Sequence, residues 1–488
     1  MKNNKIHSVK YNFIMNFILT SSQFIFPLIT FPYVSRVLLA AGNGKISFAA
    51  SVANYFMMVA SLGVPTYGVR ACAQVRDDKK KLSKTVQEIF TINFIMTVLV
   101  SITYFICIFT VPKFQAEQGL FLINGLSIVL NLFGMNWVYQ ALEQYDYITF
   151  RSLFFKIVSI VLMFLLVHEQ GDYIKYGAIT VLAGVGSNIL NFIRLHRFIE
   201  FRWEENYNLK RHLKPILILF AQSLAVSIYT NLDTVMLGFL KTDQDVGYYN
   251  AAVKIKSILL SLVTSLGNVL LPRMSYYAKQ NLKKEFSETM LKALNFTVLL
   301  SVPLVIYFGI FSKEAIAFLA GDGYIGAVMA MQIITVAVIP NGLTGVLGVQ
   351  VLTALEKEKY VLYSVIVGAA VDFILNLSFI PQYGAAGAAL ATMIAEFMVL
   401  LVQIYYTKGL LRQLKQGFRM HWYVILTTFS AILACWVKFT NFHSLFIKLV
   451  LSSITFFGVY IVGLFIIKED IALRMFDSMF KKLKKGSR

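Results

Sequence analysis

The sequence predicts an all-α integral membrane protein. It reads as about 14 transmembrane helices: two six-helix lobes related by a parallel pseudo-twofold, then two C-terminal helices. Three observations carry this prediction: too few charges for a soluble surface, a succession of apolar runs of spanning length, and a near-repeat between the two halves. Of the 488 residues, 57% are hydrophobic and 14% charged, whereas soluble domains run nearer a quarter charged. So little charge cannot coat a globule of this size in water, so lipid is the natural solvent for most of its surface.

The apolar runs fall near 11–34, 47–69, 87–111, 119–141, 149–167, 173–194, 214–237, 247–271, 290–311, 324–350, 360–380, 384–406, 421–437 and 446–467. The first, Tyr11 to Val34, has the length of a full span and exceeds the apolar core of a cleavable signal peptide. With the N-terminus placed inside, the cytoplasmic segments hold about 33 of the 45 Lys and Arg residues and the outer loops about 7. Two inner loops dominate. One runs from Arg70 to Lys84 with Arg76, Lys79, Lys80 and Lys81; the other runs from Arg194 to Lys214 with Arg197, Arg202, Lys210 and Arg211. Lys481, Lys482, Lys484 and Lys485 add a basic tail. The alternation predicts both termini in the cytoplasm and accounts for the net charge of +20 as a topology signal with anionic-lipid contact. Nucleic acid is a poor partner, because the basic residues are dispersed among the spans.

The halves resemble each other. Ala141-Leu142-Glu143-Gln144-Tyr145-Asp146-Tyr147 nearly matches Ala354-Leu355-Glu356-Lys357-Glu358-Lys359-Tyr360, each joining a fourth-type span to a fifth-type span. At the same shift Gly171 falls on Gly384. Earlier in the chain, at a slightly smaller shift, Gly44 falls on Gly247 and Arg70 on Arg273. Six crossings return the chain to its starting side, so the repeats are parallel and the expected substrate site lies at their interface. The implied organisation is an N-terminal lobe over 1–200, a C-terminal lobe over 201–410, and two extra helices with a basic tail over 411–488. Cys72, Cys107 and Cys435 are far apart and no Cys/His cluster occurs, which argues against a disulfide framework, a zinc site or another metal centre. No Walker lysine motif is present, and no cofactor is expected.

The stretch Phe31-Pro32-Tyr33-Val34-Ser35-Arg36-Val37-Leu38, with Gly44, Ser47-Phe48-Ala49, Tyr55-Phe56 and Ser61-Leu62-Gly63-Val64-Pro65-Thr66-Tyr67-Gly68-Val69-Arg70, resembles the opening of the Wzx-type polysaccharide flippases. Asn136-Trp137-Val138-Tyr139-Gln140-Ala141-Leu142-Glu143 and the stretch around Arg151 resemble the same family. Its superfamily also holds drug and toxin extruders and lipid II flippases. The resemblance implies a two-lobed helical bundle working by alternating access, not an enzyme. The implied cargo is an undecaprenyl-diphosphate-linked oligosaccharide, moved from the inner to the outer leaflet for capsule, O-antigen or related glycan. The partners would be that lipid, the surrounding membrane lipids and other polysaccharide-assembly proteins.

A diphosphate carried through a membrane needs cations at membrane depth. The candidates are Arg36 at the outer end of the first span, Arg70 at the inner end of the second, Lys254 and Lys256 inside the eighth, and Arg273 at its inner end. Lys254 and Lys256 point about 200° apart on a helix, so one of them is expected to line the cavity. Arg70 and Arg273 are equally compatible with positive-inside anchoring. Lys156 lies close enough to the cytoplasm to snorkel. Three acids in spans, Asp233, Asp372 and Glu396, are expected to gate the cavity, balance these lysines or bind a coupling ion, with Asp233 and Arg36 a conceivable pair. Pro27, Pro32, Gly63, Pro65, Pro340 and Gly342 mark places where helices can kink. His168 reads as a surface histidine.

Three other functions compete. A multidrug extruder of the superfamily carries an acid in its first span, and Tyr11 to Val34 has neither Asp nor Glu. A lipid II flippase shares the basic cavity but not the Phe31 to Arg70 motif. A polytopic glycosyltransferase or polymerase would carry a large catalytic loop, and none stands out here.

Overall fold

In the computed structural model the described residues are 8–200, 207–265, 267–414, 419–440, 444–469 and 473. Arg202, Lys481, Lys482, Lys484 and Lys485 lie outside them. Among the described residues every regular element is a helix, as lipid demands: a spanning segment must satisfy its own backbone donors and acceptors. The chain divides into two compact units, Met1–Gly247 and Tyr248–Arg488.

The first unit begins with α1 (Val9–Ser61), α2 (Val64–Ala73) and α3 (Lys79–Thr110). It continues through α4 (Pro112–Gln115), α5 (Gln118–Leu132), α6 (Asn136–Ala141), α7 (Tyr145–Leu166), α8 (Tyr173–Val181), α9 (Asn188–Leu195) and α10 (Lys210–Leu240). α1 packs on α3, α5, α7 and α10. The connection expected over 35–46 between the first two spans is helical apart from one residue, Leu39, with φ 57° and ψ −175°. A break strands carbonyls that lipid cannot satisfy, and the Asn43 side-chain amide donates to the Leu39 carbonyl at 3.1 Å. Pro27 and Pro32 lie within α1 and leave it unbroken. Gly63 and Pro65 do mark a break: Leu62 takes φ 48°, and α2 opens with proline in its first turn. Asp78 caps α3, and hydrogen bonds from the backbone of Lys81 and Lys80, with the Lys81 ammonium, hold its carboxyl below the usual range.

α11 (Asp243–Thr264) leads into the second unit, which holds α12 (Gly267–Lys279), α13 (Lys283–Ile310), α14 (Ser312–Ala320), α15 (Ala327–Val336), α16 (Val338–Thr344), α17 (Glu358–Leu414), α18 (Met420–Ala434) and α19 (Leu445–Ile466). α13 packs on α15, α16 and α18, and α17 on α15 and α16. α17 is broken once, at Gly384 with φ 53° and ψ −128°, a conformation that favours glycine. Pro340 and Gly342 lie within α16, which passes directly into a π-helical stretch over Gly345–Leu352.

The repeat match has a counterpart in local backbone geometry. Glu143 and Glu356 both take left-handed φ, 57° and 56°. The amide of Gln144 reaches the Tyr139 carbonyl at 2.9 Å, and that of Lys357 reaches the Leu352 carbonyl at the same distance. Both helical stretches therefore end in the same left-handed cap.

Gly44 and Gly247, matched in the sequence, meet in the first unit. A Cβ on Gly44 would stand 1.6 Å from the Asp243 carbonyl oxygen, and one on Gly247 would stand 2.0 Å from that of Ala40. Backbone lies against backbone, and Lys113 and Asp243 pair beside it at 3.2 Å. Gly44→Ala and Gly247→Ala are each expected to lower the melting temperature of the detergent-solubilised protein, with a cost of at least about 1–3 kcal/mol. Gly458→Ala, with open space around it, should change it little. Equal melting of all three variants would contradict this packing.

Candidate functional site

The predicted cations fall into two environments. Arg36, Arg70 and Arg273 are exposed. The Arg36 guanidinium donates to the Pro32 carbonyl at 2.5 Å, one turn back on α1. Arg70 lies in the last turn of α2. Arg273 donates from Nε to the Tyr277 hydroxyl at 2.7 Å and stands 5.6 Å from that ring, so a planar cation is presented on a phenol one turn away. Lys156, half-buried on α7, donates to the Ser22 hydroxyl at 2.7 Å.

Lys254 and Lys256 are half-buried on α11. The Lys256 ammonium stands 3.5 Å from a Glu396 carboxylate oxygen, with side chains only 12% and 5% exposed. That separation is an ion pair rather than a short hydrogen bond. Two of the predicted groups, one cation and one acid, therefore come together inside the second unit. Asp372 is buried on α17, the helix that also carries Glu396, and accepts from the Asn376 amide at 3.2 Å. The Tyr249 hydroxyl and the Thr392 hydroxyl are 3.0 Å apart, so α11 and α17 share polar contacts on one stretch. Asp233 is buried on α10 in the first unit.

Other polar groups were not foreseen. Glu88 on α3 is fully buried and accepts from the Asn208 amide at 2.8 Å, from His212 at 2.7 Å and from Arg211. His212 in turn meets the Tyr67 hydroxyl at 2.7 Å. An acid in the second position of the predicted span 87–111 was the available signal. This cluster fastens the start of α10 to α2 and α3. Arg151 is buried on α7, where its guanidinium donates to the Asn136 side chain at 3.1 Å and the Ser187 carbonyl at 3.3 Å. Lys45 pairs with Glu117 at 2.5 Å, and Glu117 also accepts from the Tyr173 hydroxyl at 2.8 Å. His168 is exposed. Among the described residues no three His, Cys, Asp or Glu side chains gather as a metal site would require.

Removing one partner of a buried ion pair leaves the other charged and unmatched, at about 3–5 kcal/mol, whereas replacing both by neutral groups is often tolerated. Lys256→Met alone should therefore lower the melting temperature, and Lys256→Met combined with Glu396→Gln should restore most of it. A double variant as unstable as the sum of the singles would show that the pair does not exist.

The sequence profile of the polysaccharide biosynthesis protein family matches residues 9–278, more than half of the chain, and that of the MatE family matches 219–378. A protein of Escherichia coli (strain K12) named as a candidate O-antigen transporter is 23% identical over 423 residues, covering 84% of this chain and 99% of that protein. Among solved structures, the lipid II flippase MurJ in an inward closed conformation superposes with a TM-score of 0.72 at 17% identity, covering 94% of this chain and 100% of the other. A multidrug resistance MATE family transporter in an inward-facing conformation gives 0.61 at 13% identity, covering 83% and 99%. At these identities the structures establish a shared multi-pass helical fold, not a shared cargo. The chain belongs to the polysaccharide biosynthesis protein family, the polysaccharide flippase branch of the multidrug/oligosaccharidyl-lipid/polysaccharide exporter superfamily.

Proposed function

We propose that the protein moves an undecaprenyl-diphosphate-linked oligosaccharide from the inner to the outer leaflet of the cytoplasmic membrane by alternating access, for capsule, O-antigen or a related glycan. The observation that carries the reading is the near end-to-end similarity to a candidate O-antigen transporter. The fold supports transport without chemistry: helices that place charged side chains at membrane depth, where charges are costly and mark substrate paths.

In this reading the chain crosses the membrane fourteen times, with both termini in the cytoplasm. Among the described residues ten helical stretches are long and apolar enough to cross. Two of these, Ile14–Ala73 and Glu358–Leu414, are 60 and 57 residues long, and a crossing takes about 20. Their breaks at Leu39 and Gly384 divide each into two crossings, and α10 and α11 supply two more. The lobes are 1–200 and 201–410, with 411–488 appended.

Arg36, Arg70, Arg273 and one of Lys254 and Lys256 receive the diphosphate, while the polyprenyl tail stays in lipid. The Lys256–Glu396 pair favours Lys254 as the member that meets the cargo and gives Glu396 the task of balancing Lys256. Asp233 and Asp372 supply further negative charge. These acids matter for the empty carrier. Carrying about two negative charges outward is downhill in a cell that is negative inside, by roughly 4–5 kcal/mol per 100 mV. Returning bare cations against the same field would cancel part of that gain, and neutralising acids prevent it.

The expected outcome in reconstituted vesicles is flipping that accelerates with an inside-negative potential when no sodium or proton gradient is present. Flipping that ignores the potential and follows a sodium or proton gradient would replace this account with ion antiport. Alanine at Arg36, Arg70, Lys254 and Arg273, singly and in pairs, should reduce glycan export. Unchanged export in every variant would remove these residues from the site.

A further inference from the structure

In the second unit a cavity of about 560 Å³ lies among α13, α16, α17 and α18, within the 300–1,000 Å³ typical of ligand pockets. Its wall is nearly all hydrocarbon: Leu291 and Leu294 from α13, Leu343 from α16, Leu347 from the π-helical stretch, and Leu400 and Ile404 from α17. Leu294, Leu347 and Leu400 belong to the packed core behind it, so this wall is firm. Ile404 and Met420 are 37% and 41% exposed, so the other side is open. Among the described residues the charged side chains lining the cavity are Lys408 and Arg412.

Their arrangement is directional. Leu400, Ile404, Lys408 and Arg412 follow one another at intervals of four, which places them along one face of α17. At 1.5 Å per residue the stripe runs about 18 Å, from hydrocarbon to cations. The cations stand in the last two turns of α17, close in the chain to the start of α18. The charge alternation along the chain assigns that end to the cytoplasmic surface. Both cations are exposed, and neither belongs to an ion pair among the described residues. Lys408 rests 4.4 Å from the Tyr405 ring, which steers the ammonium without neutralising it.

An apolar slot with two cations at its membrane-surface end has the polarity of one leaflet of lipid. We propose that this cavity is a binding site for an anionic phospholipid of the inner leaflet, with acyl chain against the leucines and phosphate on Lys408 and Arg412. Basic pockets between membrane helices on the cytoplasmic side hold such headgroups. The site shares no residue with Lys254, Lys256 or Glu396, so its occupant is a resident lipid rather than the transported one. Bound there, it ties α13, α17 and α18 together through a surface that side chains leave unfilled.

The test is native mass spectrometry of the purified full chain titrated with dioleoyl phosphatidylglycerol, dioleoyl phosphatidylcholine or undecaprenyl phosphate. Wild type should retain phosphatidylglycerol in preference to phosphatidylcholine. Lys408→Ala with Arg412→Ala should weaken that retention about ten- to thirtyfold, and Ile404→Trp, which fills the open side, should weaken retention of either phospholipid. Each variant's melting temperature reports that it is folded. Undiminished phosphatidylglycerol retention by the folded double variant would overturn the proposal. So would a site-dependent preference for undecaprenyl phosphate over phosphatidylglycerol, which would make the cavity a groove for the cargo's own tail. Neither readout involves transport, so the outcome is independent of the proposed flippase activity.

Discussion

Every backbone amide and carbonyl at membrane depth must find a partner within the protein, and the rest of this structure follows from that constraint. It selects helices throughout. It also favours short interruptions, bridged by hydrogen bonds at Leu39, Glu143 and Glu356. α1 is broken at a single residue, and Asn43 collects the carbonyl the break releases. α17 is broken at one glycine. The turns after Glu143 and Glu356 close with the same capping bonds. Among the described residues the breaks inside α1 and α17 are each one residue long.

Charge at membrane depth obeys the same logic at greater cost. A lone ionised side chain in hydrocarbon is expensive, and the buried charges described here have company. Lys256 has Glu396; Glu88 has Arg211, His212 and a backbone amide; Arg151 has an amide side chain, a carbonyl and a nearby ring. Arg36, Arg70 and Arg273 differ in kind, because they stand exposed, while Lys254 is half-buried to the same degree as Lys256. In the proposed mechanism buried pairs hold helices together, and the three exposed arginines with Lys254 receive the diphosphate.

Much of the fold was legible because an apolar run of spanning length is too long for a soluble core and fits the thickness of a bilayer. The break at Gly384 carried a glycine and fell on the first residue of an expected span. The break at Leu39 carried no such mark. Pro27 and Pro32 lie within unbroken helix, since a proline costs one backbone bond that a long helix can tolerate, and the break falls instead at Leu39, whose carbonyl Asn43 engages. The Glu143 and Glu356 caps were legible as a sequence echo, though not as left-handed backbone. For the site, the residue types could be read and their partners could not. Lys256 and Glu396 are far apart in sequence, and nothing local announces that α11 meets the later half of α17. Glu88 stands in the first turn of an expected span, an ordinary place for a charge, and its partners Arg211 and His212 are far away in the chain.

The central claim is that the exposed and half-buried cations serve a diphosphate attached to a lipid. The most direct measurement is cargo selectivity in sealed vesicles holding the purified protein. Polyprenyl-diphosphate oligosaccharide, the same oligosaccharide on a polyprenyl monophosphate, and a lipophilic organic cation would each be supplied on one face. Arrival of the sugar on the other face would be read with a membrane-impermeant glycosidase, and arrival of the cation by fluorescence. The account predicts rapid protein-dependent movement of the diphosphate, slower movement of the monophosphate and none of the cation. Movement of the cation with the diphosphate left behind would contradict it.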